Sequence, residues 1–196
     1  MRRYLPYCLG LLIASLLIGG PLAFGLYYKA NYRLFRVVRE GVLYRSGQLS
    51  SPALRRAVHE YGFRTIISLR DGSHPGEPPP DSAEENYCAA HGIRFLRIPS
   101  GKDYWEWNNG TAPAIEGVKQ FRAIMDEPRN YPVLVHCWGG IHRSGAYCAV
   151  YRMEYQGWTN DEAIEELRRL GYKNLDDEWD ILGFLQHFRP RRTWPE

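Results

Sequence analysis

Two side chains in the stretch VLVHCWGGIHRSGAY (133–147) have the types and the spacing for chemistry on a phosphate group. Cys137 can supply a thiolate, which is a strong nucleophile, and Arg143 can hold two phosphate oxygens with its planar guanidinium group. The spacing alone is weak evidence, because Cys88 and Arg94 in CAAHGIR (88–94) have the same one. The elements around each pair therefore decide which of them can form a site.

The two pairs differ in the elements that the sequence predicts around them. Cys88 lies late in a predicted helix and Arg94 begins a strand, whereas Cys137 ends a strand and Arg143 begins a helix. A loop from a strand end to a helix start can turn successive backbone N–H groups inward, and the helix adds the positive end of its dipole. Only the Cys137 pair therefore predicts an anion-binding loop.

Three glycines suit a loop that wraps an oxyanion. Gly139 and Gly140 allow a tight turn and a close approach of the backbone, and Gly145 can do the same where the helix begins. Cys137 would lie at the base of this loop. The predicted phosphate-binding residues are His136, Trp138, Gly139, Gly140, Ile141, His142 and Arg143.

The same loop would activate the Cys137 thiol. A free cysteine has a pKa of about 8.5, which a helix N-terminus and nearby cations lower. Ser144 can donate a hydrogen bond to the thiolate and so help it to leave in a second step. His136 suits a role in orienting the loop better than metal ligation, and a structural or exposed imidazole is the alternative for both His136 and His142.

These residues carry a resemblance to a known family. HCWGGIHRSG (136–145) matches the His-Cys-x-x-Gly-x-x-Arg-Ser/Thr signature of cysteine-dependent protein tyrosine phosphatases. The size and order of elements over residues 40–190 resemble the compact dual-specificity branch, and YRSGQLS (44–50) resembles a segment of its bacterial and atypical members. The resemblance implies hydrolysis through a phosphocysteine, with no metal and no cofactor.

The resemblance also implies a general acid on a separate upstream loop. An aspartate there would protonate the leaving oxygen and then deprotonate the attacking water. Asp103 in SGKDYWEW (100–107) follows a predicted strand and precedes a predicted helix, as the acid loop of the family does. Glu106 is the rival on the same loop, because the usual Trp-Pro-Asp is not present.

Aromatic residues flank this candidate acid. Tyr104, Trp105 and Trp107 either wall the pocket, which would favour phosphotyrosine, or pack over the sheet. Asp71 follows TIISLR (65–70). We interpret it as a turn residue, and a role in shaping the pocket mouth is the alternative.

Alternating strand and helix patterns predict how the chain positions these residues. Apolar runs at 42–44, 65–70, 93–98 and 131–137 read as strands, and Thr159 with Glu162 forms a capping box at a helix start. Ser51, followed by proline, reads as another helix N-cap. The alternation predicts an α/β fold with a mainly parallel central sheet flanked by helices, as in phosphotyrosine protein phosphatases. Further helices are predicted over 51–61, 82–92, 113–126, 145–156 and 177–188.

The N-terminus differs in kind from the rest of the chain. Residues 4–28 are uncharged and mostly apolar, long enough for a bilayer core of about 30 Å. We interpret residues 1–29 as a single transmembrane anchor, with a signal peptide as the alternative. Residues 30–41 would be a linker, 42–190 the phosphatase domain and 191–196 a tail. A reactive thiolate fits a reducing compartment, which favours a cytoplasmic catalytic domain on a single-pass membrane protein.

Composition excludes other classes of function. The formal net charge is +3 and no nucleic-acid-binding motif is present, so we expect no nucleic-acid partner. Cys88 and Cys148 read as small buried hydrophobic residues, since the four cysteines show no metal-binding spacing.

Three functions remain open at this point. The first is a hydrolase of phosphotyrosine, with phosphoserine and phosphothreonine as further substrates. The second is a phosphoinositide or inositol-phosphate phosphatase, which the absence of lysine from the loop disfavours. The third is a non-catalytic module that binds phosphate, although both Cys137 and Arg143 are present. The expected partner is a phosphorylated protein, lipid or small molecule.

Overall fold

The computed structural model describes residue 10 and residues 12–70, 77–98 and 114–191. Within this part of the chain a single sheet has strand order β1-β2-β5-β3-β4. Its strands, in chain order, are β1 Arg36–Arg39, β2 Leu43–Ser46, β3 Thr65–Ser68, β4 Arg94–Arg97 and β5 Val133–His136. Strands β2, β5, β3 and β4 are parallel, and β1 is antiparallel at one edge. The predicted mainly parallel α/β fold is therefore confirmed.

Helices cover both faces of this sheet. They are α1 Gly20–Tyr32, α2 Ser51–Tyr61, α3 Ser82–Ala90, α4 Ala114–Met125, α5 His142–Gln156, α6 Asn160–Arg169 and α7 Trp179–His187. Side chains alternate along each strand, so that Ile66 and Leu134 pack with α1–α3 while Ile67 and Val135 pack with α4–α7. Because both faces are covered, the central strands read as continuous apolar runs in the sequence.

The position of β5 decides where the candidate loop lies. β5 pairs with β2 on one side and β3 on the other, and all four of its residues are buried. The chain leaves its carboxyl end at Cys137 and enters α5 at His142. Ligand sites of open parallel sheets lie outside the carboxyl ends of the strands, and this loop lies at the centre of that edge.

The helix boundaries agree with the local signals to within about three residues, and two of the differences have a local reason. Thr159 and Glu162 form the predicted capping box of α6, and Gly62 ends α2 in the left-handed conformation. The N-cap of α2 is Ser50 and not Ser51, since the Ser50 hydroxyl accepts from the Ala53 backbone N–H. α5 begins three residues before the predicted Gly145, because its first turn includes the loop arginine.

The prediction of a single-pass membrane location is wrong. Among the described residues, no helix has both the length and the hydropathy needed to cross a bilayer. A π-helix, Ser15–Gly19, runs directly into α1. α1 also ends inside the domain, where Tyr32 is buried and Asn31 Oδ1 accepts from the Ser50 hydroxyl at 2.6 Å.

The range predicted as a linker, 30–41, contributes regular structure. It contains the end of α1 and the edge strand β1, which pairs with β2. β1 is mostly exposed, so its sequence RVVR lacks the apolar run that marked the central strands. The four residues RVVR do not by themselves indicate that β1 pairs with β2 along one side.

Candidate active site

Cys137 lies at the floor of the loop, where the chain turns from β5 into α5. Its side chain is buried, and its Sγ accepts from the Gly140 backbone N–H at 3.2 Å. The Ser144 hydroxyl lies 3.4 Å from the same sulfur. Two groups of the loop thus converge on one thiol, as expected for a site that stabilises a thiolate.

The electrostatic balance at Cys137 favours the thiolate. Burial alone raises the pKa of a thiol, because it penalises the charged form. Hydrogen bonds from the Ser144 hydroxyl and from the backbone N–H groups of Ser144 and Gly140, together with the charge of Arg143, outweigh burial and lower the pKa of Cys137. The loop therefore prepares Cys137 as a nucleophile.

Two glycines in contact hold the loop against β2. Gly140 has a φ of +78°, and a Cβ there would lie 2.3 Å from the Gly47 backbone nitrogen. A Cβ on Gly47 would lie 2.8 Å from the Trp138 carbonyl oxygen, which accepts from the Gln48 backbone N–H at 3.1 Å. The YRSGQLS segment (44–50) therefore shapes the loop by backbone contact.

The other two loop glycines differ from Gly140. Gly139 has open space where its Cβ would be, whereas a Cβ on Gly145 would lie 3.1 Å from Leu167 Cδ2. Gly145 thus permits the close packing of α5 on α6. This contact does not involve the floor of the loop.

His136 lies behind the loop and not in its opening. It is buried, and its Nε2 lies 3.1 Å from Glu84 Oε2 on α3. Burial opposes the charged imidazole, but the Glu84 carboxylate and the neighbouring Cys137 outweigh it and raise the pKa of His136. Gln48 donates to the same Glu84 carboxylate at 2.8 Å, so Glu84 joins the loop to the YRSGQLS segment.

Arginines surround the mouth of the loop. Arg143 Nη1 donates to the Leu69 carbonyl at 2.5 Å, just after β3. Arg70 donates to Gln48 at 3.0 Å, and its pKa is lowered by burial and by the charges of Arg143 and Arg33. These side chains therefore form a cationic entrance.

A pocket of about 230 Å³ opens above Cys137. Trp138, which is 59% exposed, forms its outer rim, and the Arg33 guanidinium lies 4.9 Å from the Trp138 ring centre. His142 stacks on Tyr172 with ring centres 4.5 Å apart. The residues that line the pocket are Cys137, Trp138, Gly139, Ile141, His142 and Arg143. Of the predicted phosphate-binding residues, His136 and Gly140 lie behind this lining.

Several predicted residues lie outside the part of the chain that the structure describes. They are Asp71, the candidate acids Asp103 and Glu106, and the aromatic residues Tyr104, Trp105 and Trp107. Their predicted roles stay predictions.

The second Cys-x5-Arg pair does not form a comparable arrangement. Cys88 is buried in α3, where burial raises the pKa of its thiol to about 12. Arg94 is in β4, and its Nη1 donates to Asn130 at 3.4 Å. Cys88 is therefore a neutral thiol in the core, as its sequence context indicated.

Sequence reasoning missed the residues that support the loop from outside it. Glu84, Gln48 and Arg70 come from three separate segments and meet only in the fold. A weak signal was present in α3, where Glu84 falls on the same helix face as the buried Cys88. Gly47 lies in the YRSGQLS segment (44–50), but the sequence does not indicate its contact with Gly140.

Comparison with known proteins places this geometry in a family. The family model described as DSP-PTPase phosphatase fused to NAD+ kinase matches residues 29–178. The chain belongs to this family. It is accordingly a cysteine-dependent phosphatase of the tyrosine and dual-specificity type, and the resemblance seen in HCWGGIHRSG is confirmed.

Relatives of known name support the family assignment. The dual specificity protein phosphatase TpbA of Pseudomonas aeruginosa (strain UCBPP-PA14) is 26% identical over 196 residues, covering 93% of this chain and 80% of TpbA. The core catalytic domain of the PP-IP phosphatase SIW14 from Saccharomyces cerevisiae has the same fold. It aligns with a TM-score of 0.58 and 24% identity, over 76% of this chain and 85% of SIW14. P. aeruginosa TpbA in complex with phosphotyrosine aligns with a TM-score of 0.54 and 22% identity, over 74% and 79% of the two chains.

Proposed function

We propose that this DSP-PTPase family member hydrolyses phosphotyrosine in proteins, and also phosphoserine and phosphothreonine, through a phosphocysteine intermediate. The observation that carries the proposal is the low-pKa thiol of Cys137 at the floor of a pocket whose rim holds Arg143. TpbA, a relative over 93% of this chain, is a dual specificity protein phosphatase, and a solved structure of TpbA holds phosphotyrosine.

The proposed reaction has two displacement steps. The Cys137 thiolate attacks phosphorus, the bond from phosphorus to the aryl oxygen breaks, and Asp103 gives its proton to that oxygen. Water then attacks the phosphocysteine, Asp103 takes up a proton from it, and the sulfur leaves as a thiolate. Arg143 holds two non-bridging oxygens in both steps. Ser144 stabilises the departing thiolate, since its hydroxyl already lies 3.4 Å from the sulfur.

The second cysteine-arginine pair supplies a matched control. Cys137→Ser should reduce hydrolysis of a phosphotyrosine peptide to background, and Arg143→Lys should reduce it by about 100-fold or more because lysine cannot form the planar fork. Cys88→Ser and Arg94→Lys should retain hydrolysis, provided that circular dichroism shows all four variants folded. Undiminished turnover by Cys137→Ser would refute the proposal, and the third candidate, a non-catalytic module, would require an inactive wild-type protein.

A second substrate class is favoured by the cationic entrance. The charges of Arg143 and Arg33 both act on Arg70. Further phosphates on an inositol ring could pair with these arginines. A fold neighbour, SIW14, is a PP-IP phosphatase. The alternative function is therefore an inositol-phosphate or phosphoinositide phosphatase.

The two substrate classes can be separated with one variant. If an inositol pyrophosphate is the substrate, Arg70→Gln should lower kcat/KM about tenfold more for it than for a phosphotyrosine peptide. Arg64→Gln, near the other end of β3, is the matched control. A wild-type preference for the inositol pyrophosphate over the peptide would reverse the ranking of the two functions.

A further inference from the structure

An arginine outside the catalytic pocket is buried in the sheet. Arg45, in the middle of β2, is 2% exposed. Its Nε and Nη1 atoms have no hydrogen-bond acceptor within the described residues. Burying a charged group without a partner is costly, so arginines at such positions are normally paired.

A like charge lies directly opposite Arg45. In the antiparallel pairing of β1 with β2, Arg36 is its cross-strand partner. Directly opposed residues project to the same face of the sheet with their Cβ atoms close together, and like charges in this arrangement repel each other. The strand register therefore adds repulsion between two like charges to the free-energy cost of burying Arg45.

The acidic side chain beside these arginines is already paired. Arg36 and Arg45 line a pocket of about 270 Å³ together with Glu166, Arg152 and Cys148. Both oxygens of Glu166 accept from Arg152, at 2.7 and 3.0 Å. Burial raises the pKa of Cys148 to about 11 against the lowering effects of the Arg45 charge and of a hydrogen bond with Arg45. This thiol is therefore neutral near pH 7 and offers Arg45 only a weak sulfur acceptor. Within the described lining, the negative charge is thus matched by Arg152, and two positive charges are left over.

We propose that this pocket, the Arg45 pocket, binds a phosphate group between Arg36 and Arg45. Two guanidinium groups on one face can pair with the oxygens of a dianion, which would satisfy Arg45 and remove the repulsion. The pocket shares no lining residue with the catalytic pocket. It does touch the catalytic helix, since Arg45 Nη1 lies 3.5 Å from the position of a Cβ on Gly145.

The stoichiometry of phosphate binding tests this second site. Calorimetric titration of the full chain with inorganic phosphate should give two bound phosphates for the wild type and one for Arg143→Ala. Arg45→Met, which keeps the volume of the side chain, should also give one, and the double variant none. Arg55→Met removes an exposed arginine elsewhere and should retain both sites.

Two results would overturn the inference. One is a wild type whose whole phosphate binding disappears with Arg143→Ala, and the other is Arg45→Met that still binds two phosphates. Should Arg45→Met fail to fold, Arg36→Met replaces it and should weaken the Arg143-independent site by about tenfold; unchanged affinity would equally refute the site. A wild type that binds a single phosphate, retained in Arg143→Ala and lost in Arg45→Met, would count against the catalytic proposal and leave this one standing.

Discussion

At the scale of single residues, the reactivity of Cys137 depends on small dipoles and not on a strong base. The Ser144 hydroxyl and the N–H groups of Ser144 and Gly140 lower its pKa against the effect of burial. Since the folded thiol ionises more readily than an ordinary cysteine, the thiolate is present above the depressed pKa and is lost as the pH falls through it.

Removal of the Ser144 hydroxyl should raise the pKa of Cys137. In Ser144→Ala the largest of the opposing contributions is gone, so we expect the midpoint of Cys137 ionisation at higher pH than in the wild type. The measurement is the rate of iodoacetamide alkylation against pH, with Cys137→Ser giving the background from other thiols. An unchanged midpoint would mean that the backbone donors and Arg143 suffice.

The general acid is also a question about one residue. If Asp103 donates the proton, Asp103→Asn should slow hydrolysis by about 100-fold or more for alkyl and phenyl phosphates, and far less for aryl phosphates with acidic leaving groups. The experiment is a plot of log kcat/KM against leaving-group pKa for Asp103→Asn and Glu106→Gln. A steeper slope in the Glu106 variant alone would transfer the role to Glu106.

At the scale of elements, α3 supports the catalytic loop from behind. Glu84 of α3 pairs with His136 at the end of β5, and Gln48 joins the same carboxylate. His136 therefore carries its charge more readily in the folded state than in the unfolded chain. The stabilisation from a raised pKa is complete below the unfolded value of about 6.5 and is lost as the pH rises through the folded value.

Glu84→Gln should reveal this pH dependence. At pH 6 the variant should lose about 3 kcal/mol of unfolding free energy, because a buried ion pair loses one partner. The difference from the wild type should shrink as the pH rises and His136 becomes neutral. Urea unfolding of both proteins at pH 6 and pH 9 measures it. Glu85→Gln, which loses a half-exposed ion pair with Arg97 but does not contact His136, is the control. A gap that is constant or grows with pH would exclude a charged His136.

At the scale of the whole molecule, Arg191 and the end of α1 join the domain to segments near the limits of the described chain. Near the carboxyl end, Arg191 begins the range predicted as a tail, yet its Nε donates to the buried Glu154 at 2.6 Å. It also contacts Asp126 at 2.9 Å, after α4, and Arg122 of α4 shares the Glu154 carboxylate. Near the amino end, α1 contributes Tyr32 to one core.

Arg191→Ala should therefore destabilise the domain by about 1–2 kcal/mol, a magnitude typical of hydrogen bonds to a buried charge at a half-exposed position. Arg189→Ala removes a neighbouring arginine whose side chain contacts only the adjacent Phe188 carbonyl among the hydrogen bonds of the described residues. That control should stay within about 0.5 kcal/mol of the wild type. Equal losses in both variants would contradict a specific role for Arg191.

The sequence by itself determined what depends on near neighbours. Apolar runs predicted the parallel strands, and Thr159 with Glu162 predicted the start of a helix. The strand-loop-helix context indicated that Cys137, and not Cys88, lies in an anion-binding loop. Each of these signals spans only a few residues, so backbone conformation and local hydrogen bonding specify it without the rest of the fold.

The tertiary structure decided what depends on distant segments meeting. The contact of Gly47 with Gly140, the pair Glu84–His136 and the opposition of Arg36 to Arg45 each join separate elements. The apolar residues near the amino terminus likewise suggested a membrane span, whereas no helix among the described residues has the length and hydropathy for one, and α1 ends in the domain core. Burial and register fix such contacts, and both arise only when the strands are ordered in one sheet.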